Sequence, residues 1–255
     1  MFAAHGRFVW HDLVTSDVAA AQSFYTTITP WTTQLWEAGD VDYPMWLNGE
    51  QPIGGLVPLS SDSGGRPHWL TYVCVYDVDA CARQAEKLGG TIRTRPREVK
   101  DVGCYAVLAD PMGAVFGLFE PDQQPPGHDD QPPIGDFSWH ELITTDHGKA
   151  FAFYNEIFKW ETLREHDMGA MGTYRIYGRN GRELGGMMNR SEGMPQPNWL
   201  PYIRVANVDA RTEDAKRGGA TVLVGPMEVP DGDRIVQCTD PQGATFALHT
   251  HKAGQ

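Results

Sequence analysis

The sequence predicts an α+β fold of four β-α-β-β-β units, two in each of two tandem halves. Three observations predict it. FVWHDLVTSDVAAAQSFY (Phe8–Tyr25) returns as FSWHELITTDHGKAFAFY (Phe137–Tyr154), 129 residues later. The middle and the end of the first half return in the same order. HWLTYVCVYDVDACARQAEKLGG (His68–Gly90) is echoed by NWLPYIRVANVDARTEDAKRGGA (Asn198–Ala220), and ADPMGAVFGLFEP (Ala109–Pro121) by TDPQGATFALHTH (Thr239–His251). Each half also alternates twice between a short bulky or β-branched run and an amphipathic helical run. A repeat of this length marks duplication. A residue kept in both copies can serve the fold, and one that differs can set function.

The elements follow in order. FVWHDLVT is rich in bulky and β-branched residues and predicts a strand. Asp17 follows as a helix N-cap, its carboxylate accepting from the first free backbone N–H groups. The helix is VAAAQSFYTTI. In the second copy Ala150, Phe153, Tyr154, Ile157 and Phe158 make one apolar face at i, i+3, i+4 spacing, fit to pack on a sheet. PIGGLVPL and ELGGMMNR read as strands entered through the turn-like segments EQPIGG and GRELGG. LTYVCV then precedes the helix DVDACARQAEKL, which the Gly89-Gly90 pair ends where positive φ is cheap. CYAVLAD and AVFGLFE form a hairpin through Asp110-Pro111-Met112-Gly113. Between the halves, PDQQPPGHDDQPPIGD is proline-rich and polar and reads as a semi-rigid linker. The organisation expected is a first domain over residues 1–121, a linker over 122–136 and a second domain over 137–255. SSDSGGRP (Ser60–Pro67) is a polar loop that either covers a pocket or connects units.

Bulk properties narrow the function. A formal charge of −12 argues against nucleic acid, which needs clustered Lys and Arg. The four cysteines Cys74, Cys81, Cys104 and Cys238 make no C-x-x-C pair, which fits a reducing cytosol and no zinc or disulfide framework. Nothing approaches a membrane span, and the first dozen residues lack the pattern of a secretory signal. A cytoplasmic monomer or homodimer with a small-molecule ligand is expected.

The strand-D-x-x-x-A-x-x-F-Y opening, the D-V-D-A helix start and the D-P-x-G-A-x-F close resemble the vicinal oxygen chelate superfamily. That superfamily includes glyoxalase I, extradiol dioxygenases, methylmalonyl-CoA epimerase and the bleomycin- and fosfomycin-resistance proteins. The W-x-[DE]-L first strand is similar to a tandem two-domain glyoxalase-like subgroup. The resemblance implies that paired units curl each sheet into a cup with helices outside, and that the cup holds a small ligand.

It also implies a divalent metal, held by His, Gln or Glu at inward strand positions. One position lies seven residues before the helix-opening Asp, another seven after the Asp of D-P-x-G. Here these are Trp10 and Trp139, then Gly117 and Ala247; the second units place Leu70 and Leu200, and the third strands place glycines. None can join a shell of hard oxygen and nitrogen donors. The expectation is therefore no cofactor, with one divalent ion on His140, Glu141 and His249 as the fallback. His11 and His140 sit one residue off, on the other face of their strands, and read as packed between sheet and helix or at a domain interface unless a bulge rotates them.

Alternation then assigns the cup linings. Trp10 shares a face with Asp12, and Trp139 with Glu141. Tyr72 joins Leu70 and Cys74, and Tyr202 joins Leu200 and Arg204. Trp10, Asp12, Tyr72, Trp139 and Tyr202 become candidate ligand-binding residues, since aromatic rings offer flat apolar area with a polar handle. Glu141 and His249 are candidates for proton transfer, and Arg204 for holding a carboxylate or enolate. Arg204 and His249 stand where the first half has Cys74 and Phe119, which favours the second cup. His251 reads as part of a frayed C-terminus. Three functions compete: a metal-independent lyase, isomerase or hydroxylase-like enzyme on a small oxygenated or aromatic compound; a sequestering protein of bleomycin-resistance type; and a metal-dependent enzyme with shifted ligands.

Overall fold

The computed structural model describes residues 4–36, 42–60, 65–125, 127, 131–191 and 196–252. Residues 61–64 of the polar loop, and 126 and 128–130 of the linker, lie outside the described residues. The first half runs β1 (Phe8–Thr15), α1 (Val18–Ile28), β2 (Thr32–Trp36), β3 (Tyr43–Asn48) and β4 (Gln51–Pro58). Its second unit is β5 (His68–Cys74), α2 (Val78–Lys87), β6 (Thr91–Val99), β7 (Gly103–Ala109) and β8 (Val115–Pro121). The second half repeats the order with β9 (Phe137–Thr144), α3 (His147–Phe158), β10 (Glu161–Asp167), β11 (Thr173–Arg179) and β12 (Arg182–Asn189). It ends with β13 (Asn198–Arg204), α4 (Val208–Arg217), β14 (Thr221–Glu228), β15 (Arg234–Thr239) and β16 (Thr245–Thr250). Among the described residues, no helix is long and apolar enough to cross a membrane.

The strands form two mixed sheets of eight, ordered β2-β3-β4-β1-β5-β8-β7-β6 and β10-β11-β12-β9-β13-β16-β15-β14. β1 runs parallel to β4 and β5 to β8, while the hairpins within each unit are antiparallel. The fold is the expected α+β arrangement of four β-α-β-β-β units. The four α-helices α1–α4 start on the same device: Asp17, Asp77, Asp146 and Asn207 are extended, and each accepts from the backbone N–H three residues on. Gly89, at φ +92°, follows α2 as expected. All five residues of the predicted apolar face of α3 are buried.

Packing divides the chain differently from hydrogen bonding. One compact unit combines Met1–Val9, Leu70–Asp129 and Trp139–Leu200; the other combines Trp10–Trp69, Asp130–Ser138 and Pro201–Gln255. In the first, α2 meets α3 around Phe116, Tyr154, Phe158, Trp160 and Trp199. In the second, α1 meets α4 around Phe24, Tyr25, Trp31, Trp46 and Phe246. Each core therefore joins one unit from each sequence half.

The repeated motifs are partners across those halves. Tyr154 of the F-Y motif donates to Asp110 Oδ2 of the D-P-x-G motif at 3.1 Å and accepts from Trp199 Nε1 at 3.0 Å. Asp110 Oδ1 takes the turn amides of Met112 and Ala114. The other unit repeats this with Tyr25, Asp240 and Trp69 at the same distances. Burial pushes the carboxyls of Asp110 and Asp240 up, against the pull of these donors. Tyr154→Phe leaves Trp199 N–H and Asp110 short of a partner in a buried site. It is expected to destabilise the chain by about 2 kcal/mol, read as a lower denaturation midpoint; an unchanged midpoint would show the network to be dispensable.

Candidate functional site

Two matching clusters grow from the first strands of the halves. In the compact unit holding β3 and β4, Trp10 Nε1 donates to Tyr43 Oη at 2.8 Å and to Asp12 Oδ1 at 3.0 Å, and Tyr43 Oη donates to the same carboxylate oxygen at 2.5 Å. In the other unit, Trp139 Nε1 donates to Tyr174 Oη at 3.0 Å and Tyr174 Oη donates to Glu141 Oε1 at 2.9 Å. Asp12 and Glu141 are buried, while both indoles keep some exposure. The shared face of Trp and carboxylate follows from strand alternation. Tyr43 and Tyr174 were not among the expected residues. The sequence does carry a signal for them: each stands eleven residues before the first glycine of a pair.

Those glycines explain the geometry. Gly54-Gly55 and Gly185-Gly186 lie inside β4 and β12, not in turns. The second glycine of each pair leaves room for a tyrosine ring. A Cβ on Gly55 would sit 2.0 Å from Tyr43 Oη, and one on Gly186 would sit 2.1 Å from Tyr174 Cζ. Gly117 plays the same part for Tyr72, whose Cδ1 would meet a Cβ there at 2.1 Å. Tyr72 also stands edge-on to Tyr105, and Tyr202, beside Ala247 in register, accepts from Gln237 Nε2 at 2.6 Å. Aromatic rings thus cover three of the glycine positions at which the resemblance implies metal ligands.

His11 and His140 turn to the cores. His140 stacks on Phe8 at 3.7 Å between centroids, and His11 on Phe137 at 3.6 Å. Burial drives the His140 imidazole down to about 3, with a Leu184 backbone hydrogen bond working weakly the other way.

Arg204 and His249 share the compact unit of Trp10 and Asp12, whereas Glu141 and Trp139 belong to the other unit. The Arg204 guanidinium donates to the Pro132 carbonyl, and its backbone is held by Asp136 and Gly135, so it fastens the end of the linker. His249 Nε2 lies 2.8 Å from Asp233 Oδ2, and His251 Nδ1 lies 2.9 Å from the same oxygen. Asp233 Oδ1 accepts from the Lys252 amide. His251, read as part of a frayed end, is instead tied back to this carboxylate. Burial lowers the His249 imidazole, and Asp233 offsets part of that. Burial raises the Asp233 carboxyl, but the Lys252 amide and the two imidazoles outweigh it and hold it below the usual range.

This cluster corrects the expectation of no cofactor. The ligand atoms of Asp233, His249 and His251 lie within 4.8 Å of one another, a nitrogen and oxygen donor set that suits a divalent ion. The expectation failed because it counted only the positions the family resemblance implies, and Asp233 and His251 lie outside them.

The comparisons agree with the architecture. The profile of the Glyoxalase/Bleomycin resistance protein/Dioxygenase superfamily matches residues 136–248. CFP32 of Mycobacterium tuberculosis, provisionally named a glyoxylase, is 31% identical over 94% of this chain and 92% of its own. The anthracycline biosynthesis protein DauV of Streptomyces sp. strain C5 is 29% identical over 96% of this chain and 93% of its own. The Mn(II)-bound glyoxalase of Novosphingobium aromaticivorans superposes with a TM-score of 0.65 at 16% identity, over 97% of this chain and 82% of its own. The fold, a metal-bound structure among its likenesses and the donor cluster all stand against the cofactor-free expectation. Four β-α-β-β-β units in two mixed sheets define the class. The chain belongs to the Glyoxalase/Bleomycin resistance protein/Dioxygenase superfamily.

Proposed function

We propose that the chain is an enzyme acting on a planar, oxygenated aromatic compound, with halves 1–121 and 137–255 as duplicated modules. The observation that carries this reading is the twofold Trp–Tyr–carboxylate cluster. In each copy a partly buried indole supplies a flat apolar surface, and a phenol links it to a buried carboxylate. A tyrosine donating to a carboxylate is a short proton path: Glu141 takes a proton from Tyr174 as Tyr174 takes one from the ligand, and returns it in reverse. Asp12 and Tyr43 repeat the arrangement. Tyr72 and Tyr202 supply further aromatic surface, and Arg204 and His249 add polar groups in the unit of Asp12. The relative named for anthracycline biosynthesis supports a polycyclic ligand.

The test is titration with an anthracyclinone, followed by tryptophan fluorescence and by product analysis. The expected result is saturable quenching and slow conversion. Trp139→Ala is expected to weaken binding, whereas Glu141→Gln keeps binding within a few fold but lowers turnover by about 100-fold. Binding with no conversion by the wild type under any condition would favour sequestration instead. If Asp12→Asn abolishes turnover and Glu141→Gln does not, the working cluster is the first one.

A further inference from the structure

We propose that Asp233, His249 and His251 form a site for a first-row divalent cation, with Ser138 and the Tyr202 carbonyl as its outer layer. The site differs from the position counted on this strand, Ala247, which pairs with Tyr202 and Gln237 and carries only a methyl group.

Three features carry the proposal. The first is the donor set. Two imidazole nitrogens and a carboxylate oxygen converge from a turn, a strand and the segment that follows it. Three such ligands suit iron, manganese or zinc and leave coordination positions open. An ion there would polarise an oxygen of a bound ligand.

The second is the proton arrangement around His249. Its Nδ1 lies 2.8 Å from Ser138 Oγ, which in turn lies 3.4 Å from the Tyr202 carbonyl oxygen. When Nε2 binds a cation, Nδ1 carries the ring proton and donates to Ser138, and the hydroxyl proton remains for Tyr202. When Nε2 alone keeps the ring proton, the serine donates to Nδ1 instead of to the Tyr202 carbonyl. Both contacts form together when Nδ1 carries the ring proton, as it does with Nε2 as a ligand and also in an imidazolium paired with Asp233. This is the way outer hydrogen bonds fix the tautomer of a metal-binding histidine. Asp233 is oriented likewise, because the Lys252 amide holds Oδ1 and leaves Oδ2 facing both rings.

The third is the internal control that the duplication supplies. With the D-P-x-G aspartates Asp110 and Asp240 aligned, Gly103, Phe119 and Pro121 stand where Asp233, His249 and His251 do. Gly103 pairs with Pro121, and Tyr105 with Phe119, in the β7–β8 ladder, so the scaffold is the same and all three donors are peculiar to the second half. A set needed only for folding has no reason to be wholly absent from the other copy.

The experiment uses the full chain, purified without a histidine tag and stripped with a chelator. It is titrated with Zn(II) by calorimetry and with Co(II) by visible absorption. The expected result is one equivalent bound per chain, with a rise in melting temperature on Zn(II) addition. Asp233→Asn and His251→Ala are expected to remove both the heat and the melting shift. Ser138→Ala is expected to weaken binding by about 10- to 100-fold, as loss of an outer hydrogen bond does. Glu141→Gln is expected to bind as the wild type. Circular dichroism confirms that each variant is folded. Absence of saturable binding in the wild type overturns the proposal, as does unchanged binding in folded Asp233→Asn and His251→Ala. Loss of binding in Glu141→Gln overturns it in favour of a different ligand set.

Discussion

Gly185→Ala is expected to destabilise the chain by about 3 kcal/mol, and Gly54→Ala by a similar amount. Gly185 pairs with His140 across β12 and β9, and Gly54 pairs with His11 across β4 and β1. A Cβ added at Gly185 would lie 1.8 Å from the His140 carbonyl oxygen, and one at Gly54 would lie 2.0 Å from that of His11. Real Cβ atoms essentially never come within 3.0 Å of another atom. The obstacle is the backbone of a paired strand, which cannot rotate away as a side chain would. Relief must come from separating the two strands, and the same movement pulls on the stacked His140 and Phe8 rings. Urea unfolding followed by circular dichroism should show the midpoint falling by roughly 1 M. The control is Gly148→Ala in the first turn of α3, where the new Cβ meets only Asp146 Oδ1 at 3.4 Å. There the change is expected to be neutral or stabilising by up to about 1 kcal/mol, since alanine favours the helix. A Gly185→Ala midpoint equal to that of Gly148→Ala would show that the strands yield more easily than their pairing implies.

The scaffold was legible because it was written twice. The caps, the face of α3, the D-P-x-G hairpins and the sheet-building runs all rest on local periodicity, and each half checked the other. Trp10 with Asp12, and Trp139 with Glu141, were legible because strand alternation is a strict rule. Their third members were not. Tyr43 and Tyr174 come from β3 and β11, whose sequences YPMWLN and TYRIYGR share little apart from the tyrosine. Only the spacing to the glycine pairs ties them together, and those pairs were read as turn-like. A turn reading asks glycine for positive φ, whereas these glycines are extended and serve close approach instead. Asp233 was hidden for a different reason. It sits in a turn whose counterpart in the first half is Gly103, so duplication drew no attention to it. The exchange of helices between halves was also beyond reach. Both pairings bury the same apolar faces, and periodicity reports that a face is buried without saying against what.

Acid should destabilise this chain through His140, alongside His5, His147 and His249, whose imidazoles burial also lowers. The imidazole is buried against Phe8, and its proton affinity in the fold is down to about 3, against an ordinary value of 6.5. A histidine depressed in the folded state contributes stability that is fully present above its unfolded value. That contribution is lost as pH falls through the interval toward the folded value. The loss is expected to reach about 2 kcal/mol between pH 6.5 and pH 4.5, and about 4 kcal/mol by pH 3. Asp233, held below the ordinary carboxylate range, acts in the same direction at lower pH. Asp110 and Asp240, raised by burial, act against it. These groups are common to wild type and variant, so the difference between the two isolates the histidine. His140→Phe retains an aromatic ring to stack on Phe8 and has nothing to protonate. Whatever it costs in fit is the same at every pH, so the readout is the slope of unfolding free energy against pH rather than its height. Between pH 6.5 and 4.5 the variant's curve should be flatter than that of the wild type by about 1 kcal/mol per pH unit. His140→Asn, smaller and also uncharged, should show the same flattening despite a different packing loss. If both variants keep the wild-type slope, the imidazole is reached by water in the folded state, and the stack on Phe8 does not shield it.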